Sequence, residues 1–242
     1  MRTSFDCAAE FYDRTRGPPS DAMRQLVTSL VNELKGYARV LDVGVGTGRF
    51  AQPFQNAGLE TVGIDIAGKM LEKAVGKRVK NLLKSDACFL PFRDNAFEAS
   101  VCIHLLHLIS DWQEALREIC RVTRDVMLSM IYTSENPVRQ TYNRLLAEYG
   151  YKTQRLGKGE WELKDVVKPW KSVFACAFDN SADQLIAHLS RRAYSSQWHI
   201  PEEVNAKGIC ELKQQFSGKM FPAEVRVLVW RIDDLDCCNA YT

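Results

Sequence analysis

The sequence predicts an α/β fold built on a largely parallel sheet, and three observations carry that expectation. Short apolar runs suited to strands alternate with stretches of helical periodicity from residue 21 to residue 149, the pattern of repeated strand-helix-strand units. One strand-to-helix junction, LDVGVGTGRF at 41–50, places three glycines at alternate positions, which lets the backbone turn sharply and approach a ligand closely. At 242 residues and 46% hydrophobic content the chain can bury one sizeable core and a small cap, but hardly two full domains.

The elements follow in order. Met23, Leu26, Val27, Leu30, Val31 and Leu34 recur at helical spacing, so a helix over 21–34 leads into the sheet. Residues 39–43 read as a buried strand, followed by the glycine loop and a helix over about 50–57. A second strand at 61–64 ends in Asp65, and a helix runs from about 69 to 76. The third strand, 81–84, leads to Asp86 and a turn through Leu90, Pro91 and Phe92 before the fourth strand at 99–103. A helix at 112–122, a fifth strand at 126–131 and a helix at 137–149 complete the regular part.

Beyond residue 150 the pattern loosens, although two apolar runs at 173–178 and 225–232 read as the last two strands. Helical stretches at about 183–194 and 201–216 lie between them. An insertion of that length is expected above the carboxyl ends of the strands, where ligands bind in open α/β sheets. The division expected is one domain over 1–242, with a core of about 34–149 plus 173–178 and 223–232, and a cap of about 150–172 and 179–216. Tyr194, Trp198 and Phe216, with Trp161 and Trp170, either line an acceptor pocket under this cap or fill the cap's own small core.

The glycine loop discriminates between nucleotides. A dinucleotide fingerprint is G-x-G-x-x-G/A, and here Arg49 occupies the position after Gly48. Asp42, two residues before Gly44, would oppose a pyrophosphate at a helix N-terminus but would welcome a cation. S-adenosylmethionine offers an ammonium and a sulfonium, so D-x-G-x-G-x-G suits it better than a nicotinamide dinucleotide. Asp65 ends the second strand roughly 20 residues after the loop, where acids bind ribose hydroxyls; the competing role is an N-cap for the next helix. Ile66 and Met70 could touch the adenine face, while Asp86 could accept from the adenine amino group beside the Ala87 amide or be a plain turn residue.

On these residues the chain resembles the class I S-adenosylmethionine-dependent methyltransferases. The segments YDRTRG at 12–17, GIDIAGKMLEKA at 63–74, SDACFLPFRDNAFEASV at 85–101 and LLHLISDWQEALREICRV at 105–122 extend the resemblance from about residue 9 to 133. They narrow it to the branch with the ubiquinone and menaquinone biosynthesis enzymes. The resemblance implies a Rossmann-like, seven-stranded, mostly parallel sheet with helices on both faces and the last strand antiparallel. It also implies a cofactor site made by Tyr12, Asp42, Gly44, Val45, Gly46, Gly48, Asp65, Ile66, Met70, Asp86, Ala87 and Ile103, with Arg16 helping to hold the N-terminal segment. Three departures stand out: Ala67-Gly68 where a Ser is common, Thr123-Arg124-Asp125 in place of a Lys-Pro-Gly-Gly turn, and Phe97-Glu98 for Phe-Asp.

The expected activity is methyl transfer to a small, partly apolar acceptor. An RNA or protein methyltransferase, a non-catalytic cofactor-binding protein and a nicotinamide dehydrogenase are the alternatives. Methyl transfer mainly needs the acceptor held about 3–3.5 Å from the methyl and water excluded. If the acceptor must lose a proton, His104 or His107 is the candidate general base, although His107 lies in an apolar stretch and could equally be a packed core histidine. The H-x-x-H spacing is wrong for a zinc helix, so no metal is expected.

Lys plus Arg total 32 against 30 Asp plus Glu, so no global field draws the protein to nucleic acid. The basic residues Lys77, Arg78, Lys80, Lys84, Arg191 and Arg192 read as solvated faces. No apolar run is long enough to span a membrane and no secretory pattern opens the chain, so a cytoplasmic monomer or homodimer is expected. The eight cysteines, at 7, 88, 102, 120, 176, 210, 237 and 238, form no C-x-x-C pair and read mostly as buried thiols, with Cys237 and Cys238 expected at the surface.

Overall fold

The computed structural model describes residues 5–154 and 156–236; Cys237 and Cys238 lie outside them. Seven strands form one sheet in the order β3-β2-β1-β4-β5-β7-β6. Five are contiguous and parallel: β1 (Arg39–Val43), β2 (Glu60–Asp65), β3 (Leu82–Lys84) at one edge, β4 (Phe97–Cys102) and β5 (Thr123–Tyr132). Their inner members read as nearly unbroken apolar runs because helices cover both faces. β7 (Met220–Arg231) runs antiparallel to both β5 and β6 (Lys171–Ser181), so only the last strand is reversed.

Helices α2 (Ser20–Leu34) and α3 (Ala51–Asn56) cover one face, burying Leu26, Leu30, Leu34 and Phe54 against Val40, Val101 and Leu128. On the other face, α5 (Trp112–Val122), α7 (Glu160–Val166) and α10 (Ile232–Asp236) enclose Leu41, Val43, Ile119, Leu163, Trp230 and Leu235. Trp230 is fully buried and its indole donates to Val167 O at 2.9 Å, which satisfies the ring nitrogen in an otherwise apolar layer. α4 (Gly68–Gly76) joins β2 to β3, and a short α1 (Tyr12–Thr15) precedes α2.

β6 and β7 each extend beyond the expected runs. Ser181 pairs with Met220, so the ladder continues through Asp179 and Asn180. Backbone bonds hold such an antiparallel pair whatever the side chains, and apolar content therefore understates its length. β3 starts at Leu82, not Asn81, because Asn81 has φ +55° and cannot lie in a strand. Thr123-Arg124-Asp125 replaces the family's turn by no turn at all, since β5 begins directly where α5 ends.

The Ser181 and Met220 pairing also sets where the cap lies. The chain leaves β6 and re-enters β7 at one end of the sheet, the end at which β1 to β5 finish. There α6 (Pro137–Glu148), α8 (Ala182–Ser190) and α9 (Glu202–Phe216) share a separate cluster of Tyr142, Leu146, Ile186, Leu189, Ile200 and Leu212. The expected division is corrected at two places. α6 packs with the cap helices and not with the sheet, while α7, inside the stretch 150–172, gives Leu163 and Val167 to the main core. No helix among the described residues is long and apolar enough to cross a membrane.

Candidate active site

The strand order reverses between β1 and β4, and the loops leaving their carboxyl ends diverge to open a cleft, as open α/β sheets do at such a switch point. The cleft encloses about 690 Å³ of space, the open solvent at its mouth included. Tyr12, Gly44, Gly46, Asp65, Ile66, Met70, Asp86, Ala87, Ile103 and His104 line it, together with Phe5, Ile64, Ser85, Leu105, Leu108 and Ile109, which the sequence reading did not single out.

The glycine loop is shaped by tertiary contacts. Gly44 has φ +75°, a conformation that strains any side chain, and a Cβ there would press on Leu105 Cδ1 at 2.9 Å where the loops after β1 and β4 meet. Gly48 has φ +73°, and its Cβ would strike Val79 at 2.6 Å. Gly48 therefore packs the loop on the segment after α4 and does not line the cleft, unlike the role expected of it. The Val45 side chain is also turned away, buried against Gly63, while its amide and that of Gly44 both donate to Ile64 O, at 2.8 and 2.9 Å.

Two carboxylates occupy the floor. Asp65 accepts from Gly46 N at 2.9 Å through Oδ2 and from Ala67 N at 2.8 Å through Oδ1. The two roles weighed for it coexist: it holds the start of α4 and the glycine loop, and an ionised carboxylate has about four acceptor positions, so capacity remains toward the cleft. Burial raises its pKa despite these amides. Asp42 is 3% exposed and sits beneath the loop, outside the lining residues, with Oδ2 making no hydrogen bond. Burial and then the charge of Asp65 push its carboxyl up to about 7. An ionised pair this desolvated calls for a positive charge nearby.

His104 reaches the cleft from an unusual backbone position, φ +57°, with its ring stacked on Tyr132 at a centroid distance of 6.2 Å. Burial, followed by Arg16, Arg49 and Arg139, pulls its pKa down to about 4. It is a neutral imidazole at pH 7 and a weak base. His107 does not line the cleft; its ring lies 5.0 Å from that of Trp161 in the short helical turn Leu106–Leu108. Its ring also lies 6.5 Å from that of His104, edge to face.

The loop carrying His104 is pinned by a residue that sequence reasoning missed. Glu160, fully buried at the start of α7, accepts from Leu105 N at 2.8 Å and Leu106 N at 3.3 Å. Its other oxygen makes no hydrogen bond, and burial raises its pKa. Nothing in the local sequence distinguishes this acid from Glu162, which serves the start of the same helix.

The N-terminal segment closes over the cleft through Asp13, which takes a hydrogen bond from Thr47 Oγ1 at 2.6 Å and an ion pair from Lys77 at 2.5 Å. Arg16 donates to Ala193 O at 2.6 Å and ties the segment to the cap. Asp86 Oδ1 accepts from Cys88 N at 3.0 Å, forming a turn at the cleft wall. None of the five aromatic candidates lines the cleft. Phe216 packs on Phe221, Trp161 on His107, and Trp170 lies beside Arg231. Trp198 lies tilted against Phe5 with ring centroids 5.4 Å apart, and Tyr194 lies under Arg16.

A family described as methyltransferase domain matches residues 41–126, from β1 to β5. Residues 41–126 thus carry the methyltransferase domain. The demethylmenaquinone methyltransferase of Renibacterium salmoninarum is 35% identical over 153 residues, covering 59% of this chain and 63% of that enzyme. An uncharacterized methyltransferase of Bacillus subtilis, YcgJ, is 29% identical over 180 residues, covering 70% of this chain and 63% of that protein. The chain thus spans about three fifths of the length of the curated relatives it matches.

Among solved structures, the magnesium protoporphyrin IX methyltransferase of Synechocystis, with bound S-adenosylhomocysteine, superposes with a TM-score of 0.56 at 12% identity over 93% of this chain and 96% of that one. The [4+2]-cyclase SpnF superposes with a TM-score of 0.52 at 21% identity over 90% and 83%. The methyltransferase domain's fold therefore serves more than one chemistry. S-adenosylmethionine is the cofactor of this class, and the site's chemistry fits it: the buried acid Asp42 beneath the loop would favour a cation, Asp65 keeps acceptor capacity for hydroxyls, and Ile66, Met70 and Ala87 offer apolar surface to a flat base.

Proposed function

We propose that this protein transfers the methyl group of S-adenosylmethionine to a small, partly apolar acceptor. The observation that carries the reading is the pair Asp42 and Asp65 beneath a glycine loop at the switch point. This floor disfavours phosphates and rewards a cation. The cofactor supplies an activated methyl and its own leaving group, which leaves positioning and exclusion of water to the protein.

Asp65 would take the ribose hydroxyls, Ile66 and Met70 one face of the adenine, and Asp86 with Ala87 its edge. Asp42, Gly44, Gly46 and Ile103 would surround the methionine end, and Tyr12 would cover it. His104 is the polar group of the cleft on the loop after β4. As a neutral ring of pKa about 4 it can accept a hydrogen bond that orients the acceptor, but it removes a proton poorly at pH 7. The acceptor's reacting atom is accordingly one that needs no strong base. The relatives named as demethylmenaquinone methyltransferases support a small-molecule acceptor with apolar character.

Thermal unfolding with S-adenosylhomocysteine, S-adenosylmethionine and NAD tests this reading. At about 100 times its dissociation constant either sulfur nucleoside should stabilise the fold by roughly 2.7 kcal/mol. In Asp65→Ala, calorimetry should find affinity reduced by about 2–4 kcal/mol, the loss of two charge-assisted contacts. A shift with NAD alone, or unchanged affinity in Asp65→Ala, would contradict it.

A further inference from the structure

Three guanidinium groups gather where the N-terminal segment meets the cap. Arg16 lies 4.2 Å and Arg139 4.1 Å from the centroid of the Tyr194 ring. Arg16 and Arg49 lie 5.5 and 5.4 Å from the ring of Tyr12, which lines the cleft. Aromatic faces hold guanidinium planes flat and leave their edges to donate.

Their countercharge is incomplete. Arg49 approaches Asp13 at 3.5 Å, but Lys77 holds that carboxylate more closely at 2.5 Å. Arg16 donates only to the backbone carbonyls of Thr15 and Ala193. Among the described residues no carboxylate pairs with Arg16 or Arg139. Arg139 adds its charge at the first turn of α6, the positive end of that helix. Holding like charges together in a partly buried place is unfavourable unless an anion joins them. Their field extends to the cleft wall, since the same three arginines help to keep His104 neutral.

We propose that the acceptor carries an anionic group, a carboxylate or a phosphate, which Arg16 and Arg139 bind at the mouth of the cleft while the apolar part of the molecule enters it. The inference rests on the methyltransferase reading and narrows its acceptor. Planar guanidinium groups match both oxyanions in bidentate geometry, and the distinction between the two is left to the probes.

The test is calorimetric titration of the protein saturated with S-adenosylhomocysteine, using 2-naphthoate, 2-naphthyl phosphate and neutral 2-naphthol. At least one anion should bind about 10-fold or more tightly than 2-naphthol, and added salt should reduce that margin. Arg139→Gln should abolish the margin, with Arg139→Lys retaining part of it and S-adenosylhomocysteine affinity unchanged in both. Among the described residues Arg139 makes no side-chain hydrogen bond, and the comparison of charged with neutral probes needs no variant. Equal binding of the three probes, no binding by either anion, or a margin that survives in both Arg139→Gln and Arg16→Gln would overturn the proposal while leaving the cofactor site intact. Failure of S-adenosylhomocysteine to bind would instead remove the methyltransferase reading, and the inference with it.

Discussion

Replacing Asp42 by Asn separates stability from cofactor binding. The carboxyl rises from 3.8 to about 7 on folding, with burial as the main cause and Asp65 the second. A group whose folded pKa is raised stabilises the fold fully only below its unfolded pKa, and that contribution disappears as pH rises through the folded value. Three units correspond to about 4 kcal/mol, an upper bound for a carboxylate coupled to a second acid. Asp42→Asn keeps the shape and removes the charge. Its unfolding free energy relative to wild type, measured by urea titration without ligand, should therefore increase from pH 4 to pH 8 by up to about 4 kcal/mol.

Cofactor affinity should move the other way. Wild-type affinity for S-adenosylmethionine should weaken as pH falls from 7 to 5, up to about 100-fold if the cation requires the ionised acid. The Asn variant should bind weakly and show a flatter profile. Parallel stability curves for the two proteins between pH 4 and 8, or wild-type affinity in the variant, would refute the reasoning that this acid is held at a cost for the sake of a cation.

Two further perturbations address the loops around the cleft. Glu160→Ala strands the Leu105 and Leu106 amides, so urea titration should report a loss of about 2–4 kcal/mol together with weaker S-adenosylhomocysteine binding, because Leu105 packs on Gly44; Glu160→Gln, which keeps an acceptor, should recover most of both. Asp13→Asn removes the Lys77 pair and weakens the bond to Thr47. Burial raises the Asp13 pKa, but Lys77 and Thr47 together outweigh it and the net shift is downward, so the latch should hold above pH 4 and loosen as pH falls below it. Stopped-flow measurement at pH 7 should find S-adenosylhomocysteine leaving about two- to fivefold faster from the variant, the range of a half-exposed ion pair, and limited proteolysis should cut the segment before Pro18 more readily.

The sequence alone was sufficient for what depends on neighbouring residues. Strands β1, β2 and β4 and helices α2 and α5 were legible because period and apolar content report the burial of one short segment. The glycine loop and the acid that ends β2 were legible because a sharp turn after a strand, and a carboxylate at the strand's carboxyl end, need particular residue types at a set spacing. The tertiary structure decided everything that rests on pairs far apart in the chain. Gly48 became a packing residue only because Val79 lies against it, and Glu160 became an anchor only because the loop after β4 returns to it 55 residues away. α6 joined the cap and α7 the core although both have ordinary apolar content. Arg16 reaches, besides its near neighbours, the carbonyl of Ala193 177 residues away and the adjacent ring of Tyr194. A local pattern records whether a side chain is buried, but not what it is buried against, and the electrostatics of this cleft depends on the second.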